Sequence, residues 1–270
     1  MFLESRVPFF NHLPVNTRGR DFVIGDLHGM FDLLMRHLDA HSFDPSVDRV
    51  FSVGDLVDRG PDSLKCIRLT DNPWFHAIRG NHEQSITALG KAFSSSNDRS
   101  HIKHLCKGGA DWVFKGNALS DAFFEALPIM ESLPLIIEVG DGDGFGIAHA
   151  DIIGFDSWQS LGEWFTQRGA DDNWIDYVND HTFSDESKDP VLHHLLYGRK
   201  TLKKLMRGDM PAENAHIKGI PLVFFGHTVI DLPTQFSNRI YLDTCAHEFH
   251  ELSFVQACPA INSWSHSHAA

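Results

Sequence analysis

The chain has 270 residues, 42% apolar and 22% charged, an ordinary globular mixture able to bury a sizeable core, which excludes disorder or a fibrous repeat over most of its length. Its net charge of −13 argues against nucleic-acid binding, which needs a basic surface. The longest apolar runs, around Leu133–Ile137 and Ile220–Phe225, are too short to cross a bilayer, so no membrane association is expected.

The opening residues, MFLESRVPFFNHLP, have no basic region followed by a long apolar stretch and do not read as a signal peptide. Cys66, Cys106, Cys245 and Cys258 lie far apart without a CxxC pair, so neither a disulfide framework nor a structural zinc site is expected, and a reducing cytoplasm is the default. Histidine accounts for 18 residues, and aspartate (26) far outnumbers glutamate (10). Imidazoles and short carboxylates are the ligands of mixed nitrogen and oxygen metal sites. Aspartate also gathers in turns and caps, so position must decide.

The first hundred residues repeat one pattern three times: a short apolar strand, a turn rich in Gly, Asp and His, then an amphipathic stretch. Asp21–Ile24 leads into Gly25-Asp26-Leu27-His28-Gly29, and Phe31, Leu34, Met35 and Leu38 then share one helical face. Arg49–Val53 leads into Gly54-Asp55-Leu56-Val57-Asp58-Arg59-Gly60 and a helix carrying Leu64, Ile67 and Arg68. Trp74–Ile78 leads into Arg79-Gly80-Asn81-His82-Glu83 and a third helix. Such strand–loop–helix units predict βαβ crossovers and a mainly parallel sheet, with ligands at the carboxyl ends of the strands. Residues 94–132 read as a polar connection followed by helix, with Phe123, Phe124 and Leu127 as core. Leu135–Val139 and Phe145–Ala148 form a hairpin that delivers His149-Ala150-Asp151. Residues 155–190 carry nine acids, two bases and three of the six tryptophans. A helix pair over about 191–207 is interrupted at Gly198. Late strands are expected at Pro221–Phe225, Arg239–Leu242 and Leu252–Gln256, the last two as antiparallel neighbours, before a frayed tail from Ser263 to His268. There is no internal repeat and no linker, so residues 1–270 read as a single domain.

The chemistry gathers at strand ends. In an extended turn the side chains of Asp26 and His28 project to the same side. A Gly-Asp-x-His-Gly pattern arises by chance in about one such chain in a hundred, and its bland reading is a capped turn. Gly54-Asp55, Gly80-Asn81-His82-Glu83, His149 and Gly226-His227-Thr228 repeat the same offer at four further strand ends.

The set GDLHG, GDLVDRG, RGNHE, AHAD and FGHT resembles the calcineurin-like metallophosphoesterase superfamily, and within it the bacterial and phage-type serine/threonine phosphoprotein phosphatases. The resemblance runs from about Phe22 to Gln256, and Gly108-Gly109-Ala110-Asp111-Trp112 resembles a glycine-glycine-tryptophan element of the phage-type group. It implies an α/β fold whose two-sheet β-sandwich is flanked by helices, amending the single parallel sheet. The resemblance further implies a dinuclear metal site at the strand ends. Asp26 and His28 would hold the first ion and Asp55 would bridge both. Asn81, His149 and His227 would complete the second. This donor set suits Mn2+, with Fe or Zn possible in the first position. Two such ions clamp the attacking and leaving oxygens of an in-line displacement, so direct attack by a metal-bridging hydroxide is the expected mechanism. His82 would be the general acid, oriented by Asp58. Arg59 would bind the phosphoryl group through its planar fork, against the bland reading of a surface pair with Asp62. Arg199 is the candidate for a second phosphate arginine, against that of a solvated helix residue. Lys200, Lys203, Lys204 and Arg207 read as a solvated face or a guide for an anionic substrate.

The function implied is a cytoplasmic metal-dependent phosphomonoesterase acting on phosphoserine or phosphothreonine, and on phosphotyrosine as an option, in a phosphoprotein or phosphopeptide. The alternative is a symmetrical diadenosine tetraphosphate hydrolase. That related group commonly carries alanine at the position of Asp58, so aspartate favours the phosphomonoesterase. A non-enzymatic scaffold of the same fold is disfavoured because Asn81, His82 and Asp58 are all present. Segment 155–207 is expected to border the active site, its tryptophans either gripping a basic substrate or packing the lobe onto the core. Cys245 stands where such relatives often have glycine, and His247 and His250 are placed to approach the cleft. His101, His104, His193, His194, His266 and His268 match no motif and read as surface or capping residues. The sequence leaves the oligomeric state open.

Overall fold

The structure is a computed structural model that describes residues 7–96, 108–116, 118–258 and 263–266. His101, His104, Cys106 and His268 lie outside the described residues. In chain order the strands are β1 (Phe10–Leu13), β2 (Asp21–Ile24), β3 (Arg49–Ser52), β4 (Phe75–Ala77), β5 (Phe114–Lys115), β6 (Ala118–Leu119), β7 (Ile136–Val139), β8 (Phe145–Ala148), β9 (Leu222–Phe225), β10 (Thr234–Phe236), β11 (Arg239–Tyr241), β12 (Phe254–Cys258) and β13 (Ser263–His266). The helices are α1 (Phe31–Ala40), α2 (Ser63–Ile67), α3 (Asn81–Ser96), α4 (Asp121–Ser132), α5 (Trp158–Arg168), α6 (Trp174–Asp180), α7 (Pro190–Tyr197), α8 (Lys200–Arg207) and α9 (Ala246–Phe249).

Strict alternation along the strands builds two sheets with a shared interior. Phe22 and Ile24 face α1 and α4, whereas Val23 between them faces the opposite sheet; Phe145 and Ile147 on β8, and Leu222 and Phe224 on β9, meet it there. One sheet runs β13–β12–β2–β3–β4, with β2, β3 and β4 parallel and β12 antiparallel to both its neighbours. The other runs β1–β7–β8–β9–β11–β10 and is likewise mixed. The helical layer of α5, α6, α7 and α8 covers the outer face of this second sheet. The two-sheet sandwich with helices on both outer faces is therefore present, and the single mainly parallel sheet of the local pattern is not.

Three local expectations change. Arg239–Tyr241 and Phe254–Cys258 are not neighbours: β11 lies between β9 and β10, and β12 pairs with β2 and β13 in the other sheet. Ser263–His266 is an edge strand in register with Val255–Cys258 rather than a frayed tail. Phe123 is buried, but Phe124 is 56% exposed and belongs to the surface of α4.

Candidate active site

The carboxyl ends of β2, β3, β8, β9 and β11, with the start of α3 after β4, converge on one place. The loops are tied together through main chain: Leu27 and His28 N–H both donate to the Asp55 carbonyl, and Gly226 N–H donates to the His149 carbonyl. Gly80 packs so closely that a Cβ there would lie 2.1 Å from Asp55 Oδ1. His28, Asp55, Asp58, Arg59 and His227 all have positive φ without being glycine. Each such residue stores about 1–3 kcal/mol of backbone strain, which persists only where the surroundings overdetermine it.

Two overlapping groups of donors share Asp55: His28, Asp55 and His82, and Asp55, His149 and His227. Their hydrogen bonding shows what they can hold. His28 Nδ1 donates to the Val57 carbonyl at 2.9 Å, leaving the Nε2 lone pair directed at Asp55 Oδ2, 3.7 Å away. His149 Nδ1 donates to the Val53 carbonyl at 2.8 Å, and its Nε2 lies 3.0 Å from Asn81 Oδ1 and 3.6 Å from Asp55 Oδ1. A neutral imidazole has only one N–H, so this Nε2 presents a lone pair to two oxygens. His227 Nδ1 meets the same Asn81 oxygen at 2.8 Å. Backbone carbonyls thus fix the ring tautomers and turn electron pairs inward, as around a cation.

Charge says the same. Burial pushes the Asp26 carboxyl well up, reinforced by Asp243 and Asp55, although His227 N–H donates to both its oxygens at 3.1 Å. Burial, with the Asp55 charge adding to it, likewise raises Asp243. Burial opposes ionisation of Asp55, but the charge that His82 takes up, together with its backbone N–H donating to Oδ1 at 3.0 Å, helps hold the carboxyl far below the usual range. Burial brings His28 down to about 3 and His227 to about 2, so both imidazoles are neutral, the form that ligates. Crowded carboxylates, neutral imidazoles and an amide oxygen fit divalent cations of the Mn, Fe or Zn class.

His82 stands at the edge of this pocket. Its Nδ1 donates to Asp58 Oδ2 at 2.6 Å, and its Nε2 accepts from the Arg59 guanidinium at 3.2 Å. Burial alone would lower His82, but Asp55 and Asp58 together lift it above the ordinary imidazole value. Asp58 is fixed from the other side by Trp112, whose Nε1–H donates to Oδ1 at 2.8 Å. Arg59 N–H donates to the Gly109 carbonyl at 3.0 Å. The Gly109–Trp112 element therefore braces both Asp58 and Arg59. Asp62 pairs with Lys65 at 2.8 Å rather than with Arg59.

Arg199 opens α8 as an exposed residue, and its positive charge is near enough to disfavour protonation of His227. Among the described residues, no side-chain hydrogen bond draws it into the pocket. Asp151 is structural: it accepts from Thr201 N–H at 3.0 Å and pairs with Arg239 at 3.0 Å, fixing the start of α8 beside the site. Tyr197 adds a ring 6.3 Å from that of His227. Trp158 and Trp174 are buried among the outer core residues, and Trp164 packs against Trp174 at 5.6 Å. The tryptophans thus pack the lobe. His193 bonds the Phe183 carbonyl, and His194 faces Glu186.

Two residues escaped the sequence reading. Asp243 follows β11 as Asp26 follows β2, a strand-end signal that was available. Glu83 is fully buried: Oε1 accepts from Leu56 and Val57 N–H at 2.7 and 3.2 Å, and Oε2 from Asp55 and Gly80 N–H at 3.0 and 2.8 Å. It clamps two strand-end loops together, which no local pattern announces.

Residues 22–231 match the family model of calcineurin-like phosphoesterases. The chain belongs to that family. It is 36% identical to serine/threonine-protein phosphatase 1 of Salmonella typhimurium over 83% of this chain and 86% of that protein. It is 31% identical to serine/threonine-protein phosphatase 2 of Escherichia coli over 87% of this chain and 91% of the relative. A symmetrical bis(5'-nucleosyl)-tetraphosphatase of Actinobacillus succinogenes is 31% identical over 48% of this chain and 44% of its own. Among solved structures, a crystal structure of a putative diadenosine tetraphosphatase shares the fold at a TM-score of 0.56 and 20% identity, covering 95% of this chain and 97% of that one. The chain is accordingly a hydrolase of the metallophosphoesterase family, and among the described residues no helix is long and apolar enough to cross a membrane.

Proposed function

We propose that this enzyme is a phosphoprotein phosphatase that releases phosphate from phosphoserine or phosphothreonine side chains. The observation that carries the reading is the Asp58–His82 pair at 2.6 Å, set beside the cation pocket with Arg59 on its outer nitrogen. A phosphomonoester leaves as an alkoxide, a poor leaving group that needs a proton, and a carboxylate-held imidazole supplies one near neutral pH. The similarity to two serine/threonine phosphatases over most of the chain supports it.

In this reading Asp26, His28, Asp55, Asn81, His149 and His227 would hold two divalent ions, with Asp55 common to both groups of donors and Mn2+ as the working metal. When bound, the ions supply Lewis acidity at the phosphoryl oxygens and acidify the attacking water. Arg59 turns from His82 Nε2 onto the phosphoryl group, and Arg199 approaches it from the opposite rim; each guanidinium offers a bidentate fork. Nε2, freed from Arg59, carries the proton delivered to the leaving oxygen. Asp58, held by Trp112, keeps Nδ1–H oriented and stabilises the imidazolium beforehand.

The second reading, hydrolysis of diadenosine tetraphosphate, rests on the partial match to the bis(5'-nucleosyl)-tetraphosphatase. Its leaving group is a nucleotide phosphate and needs no proton, so the pair would be idle. The test is phosphate release by chelated protein restored with Mn2+, offered a phosphoserine peptide, a phosphotyrosine peptide and diadenosine tetraphosphate in parallel. Peptide turnover that collapses in His82→Asn supports the reading. ADP as the main product, with His82→Asn nearly as active, overturns it.

A further inference from the structure

We propose that Cys245, His247 and Glu248 form a separate cation site for a borderline-soft divalent ion of the zinc class, beside the phosphatase pocket. Their ligand atoms all lie within 4.8 Å of one another. Cys245 Sγ is 3.8 Å from His247 Nδ1, 3.9 Å from its Nε2 and 3.6 Å from Glu248 Oε2. A tetrahedral zinc with sulfur at about 2.3 Å and nitrogen or oxygen at about 2.1 Å requires sulfur–nitrogen and sulfur–oxygen edges of about 3.6 Å. The three ligand atoms are within reach of one ion, and because Sγ is almost equidistant from the two His247 nitrogens, that ring must turn to aim one of them at it.

The chemistry differs from that of the neighbouring pocket. That pocket offers oxygen and imidazole nitrogen; this one offers sulfur as well, which selects zinc over manganese. A thiolate and a carboxylate would balance a dication, with a neutral imidazole as third ligand. Burial, with Asp243 and Glu248 adding to it, raises the Cys245 thiol above its ordinary value, so the thiolate forms only as a cation displaces the proton. Cys245 is buried, His247 half-buried and Glu248 exposed, so the cluster opens to solvent on one side and leaves room for a water as fourth ligand.

The loop is held in this shape. Thr244 donates its hydroxyl to the Glu251 carbonyl at 2.8 Å and accepts from Ser253 N–H at 3.1 Å, closing the base of the turn that carries all three ligands. Asp243 Oδ1 accepts from Cys245 N–H at 3.0 Å. Cys245 sits at φ 60°, a conformation that glycine adopts freely and cysteine does not, so the side chain is retained at a backbone cost. The His247 ring lies 5.1 Å from that of His28, which places the site against the wall of the pocket.

The test uses Co2+ as a spectroscopic stand-in for zinc on full-length protein already saturated with Mn2+. Thiolate ligation gives a near-ultraviolet sulfur-to-cobalt charge-transfer band, and this readout is independent of phosphate release. The expected result is a band that saturates at a single equivalent per chain and is abolished by competing Zn2+. It should be absent in Cys245→Gly, a variant that suits the left-handed backbone and is checked for folding by circular dichroism. His247→Gln should weaken cobalt binding about tenfold or more. No band at saturating Co2+ in the parent, or an undiminished band in Cys245→Gly, overturns the proposal.

Discussion

Glu83 is where the structure makes its strongest demand on a single atom. Each carboxylate oxygen accepts two backbone N–H groups, one from each of Leu56 and Val57 and one from each of Asp55 and Gly80. In Glu83→Gln one oxygen survives, and the amide NH2 that replaces the other faces two donors it cannot accept from. Two fully buried N–H groups are then orphaned at about 1–3 kcal/mol each, a gross cost of about 2–6 kcal/mol. Part is recovered because a buried charge disappears. Burial and the neighbouring Asp55 push the Glu83 carboxyl up to about 7, which shows that the native arrangement carries that cost. A net loss of about 2–4 kcal/mol follows, or a fall in Tm of about 4–16 °C for a chain of this size. Urea unfolding at pH 8 measures it. Because the same bonds hold Asp55 and the turn before Asn81, Mn2+ affinity should fall about 10- to 100-fold, read by equilibrium dialysis. A Gln variant within about 0.5 kcal/mol of the parent and unchanged in Mn2+ binding would refute the clamp.

Three further outcomes are expected. Asp58→Asn keeps the size of the side chain but withdraws the charge that lifts His82, so the alkaline limb of kcat/KM should move to lower pH. The acid must be protonated to work, and its pKa drops when its partner is neutral; kcat should fall about 10²-fold on a phosphopeptide, and an unmoved limb would remove Asp58 from the proton path. Gly109→Ala places a Cβ 2.8 Å from Arg59 N at φ 89°, which should displace Arg59 and raise KM about tenfold with a smaller effect on kcat. His76, stacked on Phe51 at 5.0 Å, is brought down to about 4 by burial and by Arg49. Its contribution is whole above pH 6.5 and is lost as pH falls toward 4, because the unfolded chain takes the proton first. His76→Phe should therefore regain about 2 kcal/mol relative to the parent at pH 5 and nothing at pH 8, read from urea midpoints.

What was legible in the sequence follows from where each constraint acts. Asp26, His28, Asp55, Asn81, His149 and His227 stood out because residues with metal-ligand chemistry recur at strand ends, which are marked locally by an apolar run meeting glycine. The sandwich was not legible from the three repeated units, since β2, β3 and β4 form only the parallel part of one sheet and the second sheet is assembled from β1 and strands after residue 135. Arg199 was legible as a residue and not as a partner: nothing local says that Asp151, 50 positions before Thr201, would anchor the helix behind it. Trp112 is in the same case, reaching Asp58 across 54 positions. Edge strand β13 left no mark at all. Its pairing with β12 uses main-chain N–H and C=O groups, which nearly every residue carries, so Ser263–His266 reads as polar tail. Side-chain chemistry leaves a signature in residue identity, whereas backbone pairing depends on what the rest of the fold leaves exposed; at β12 that is the edge not taken by β2, and Ser263–His266 pairs with it through main chain alone.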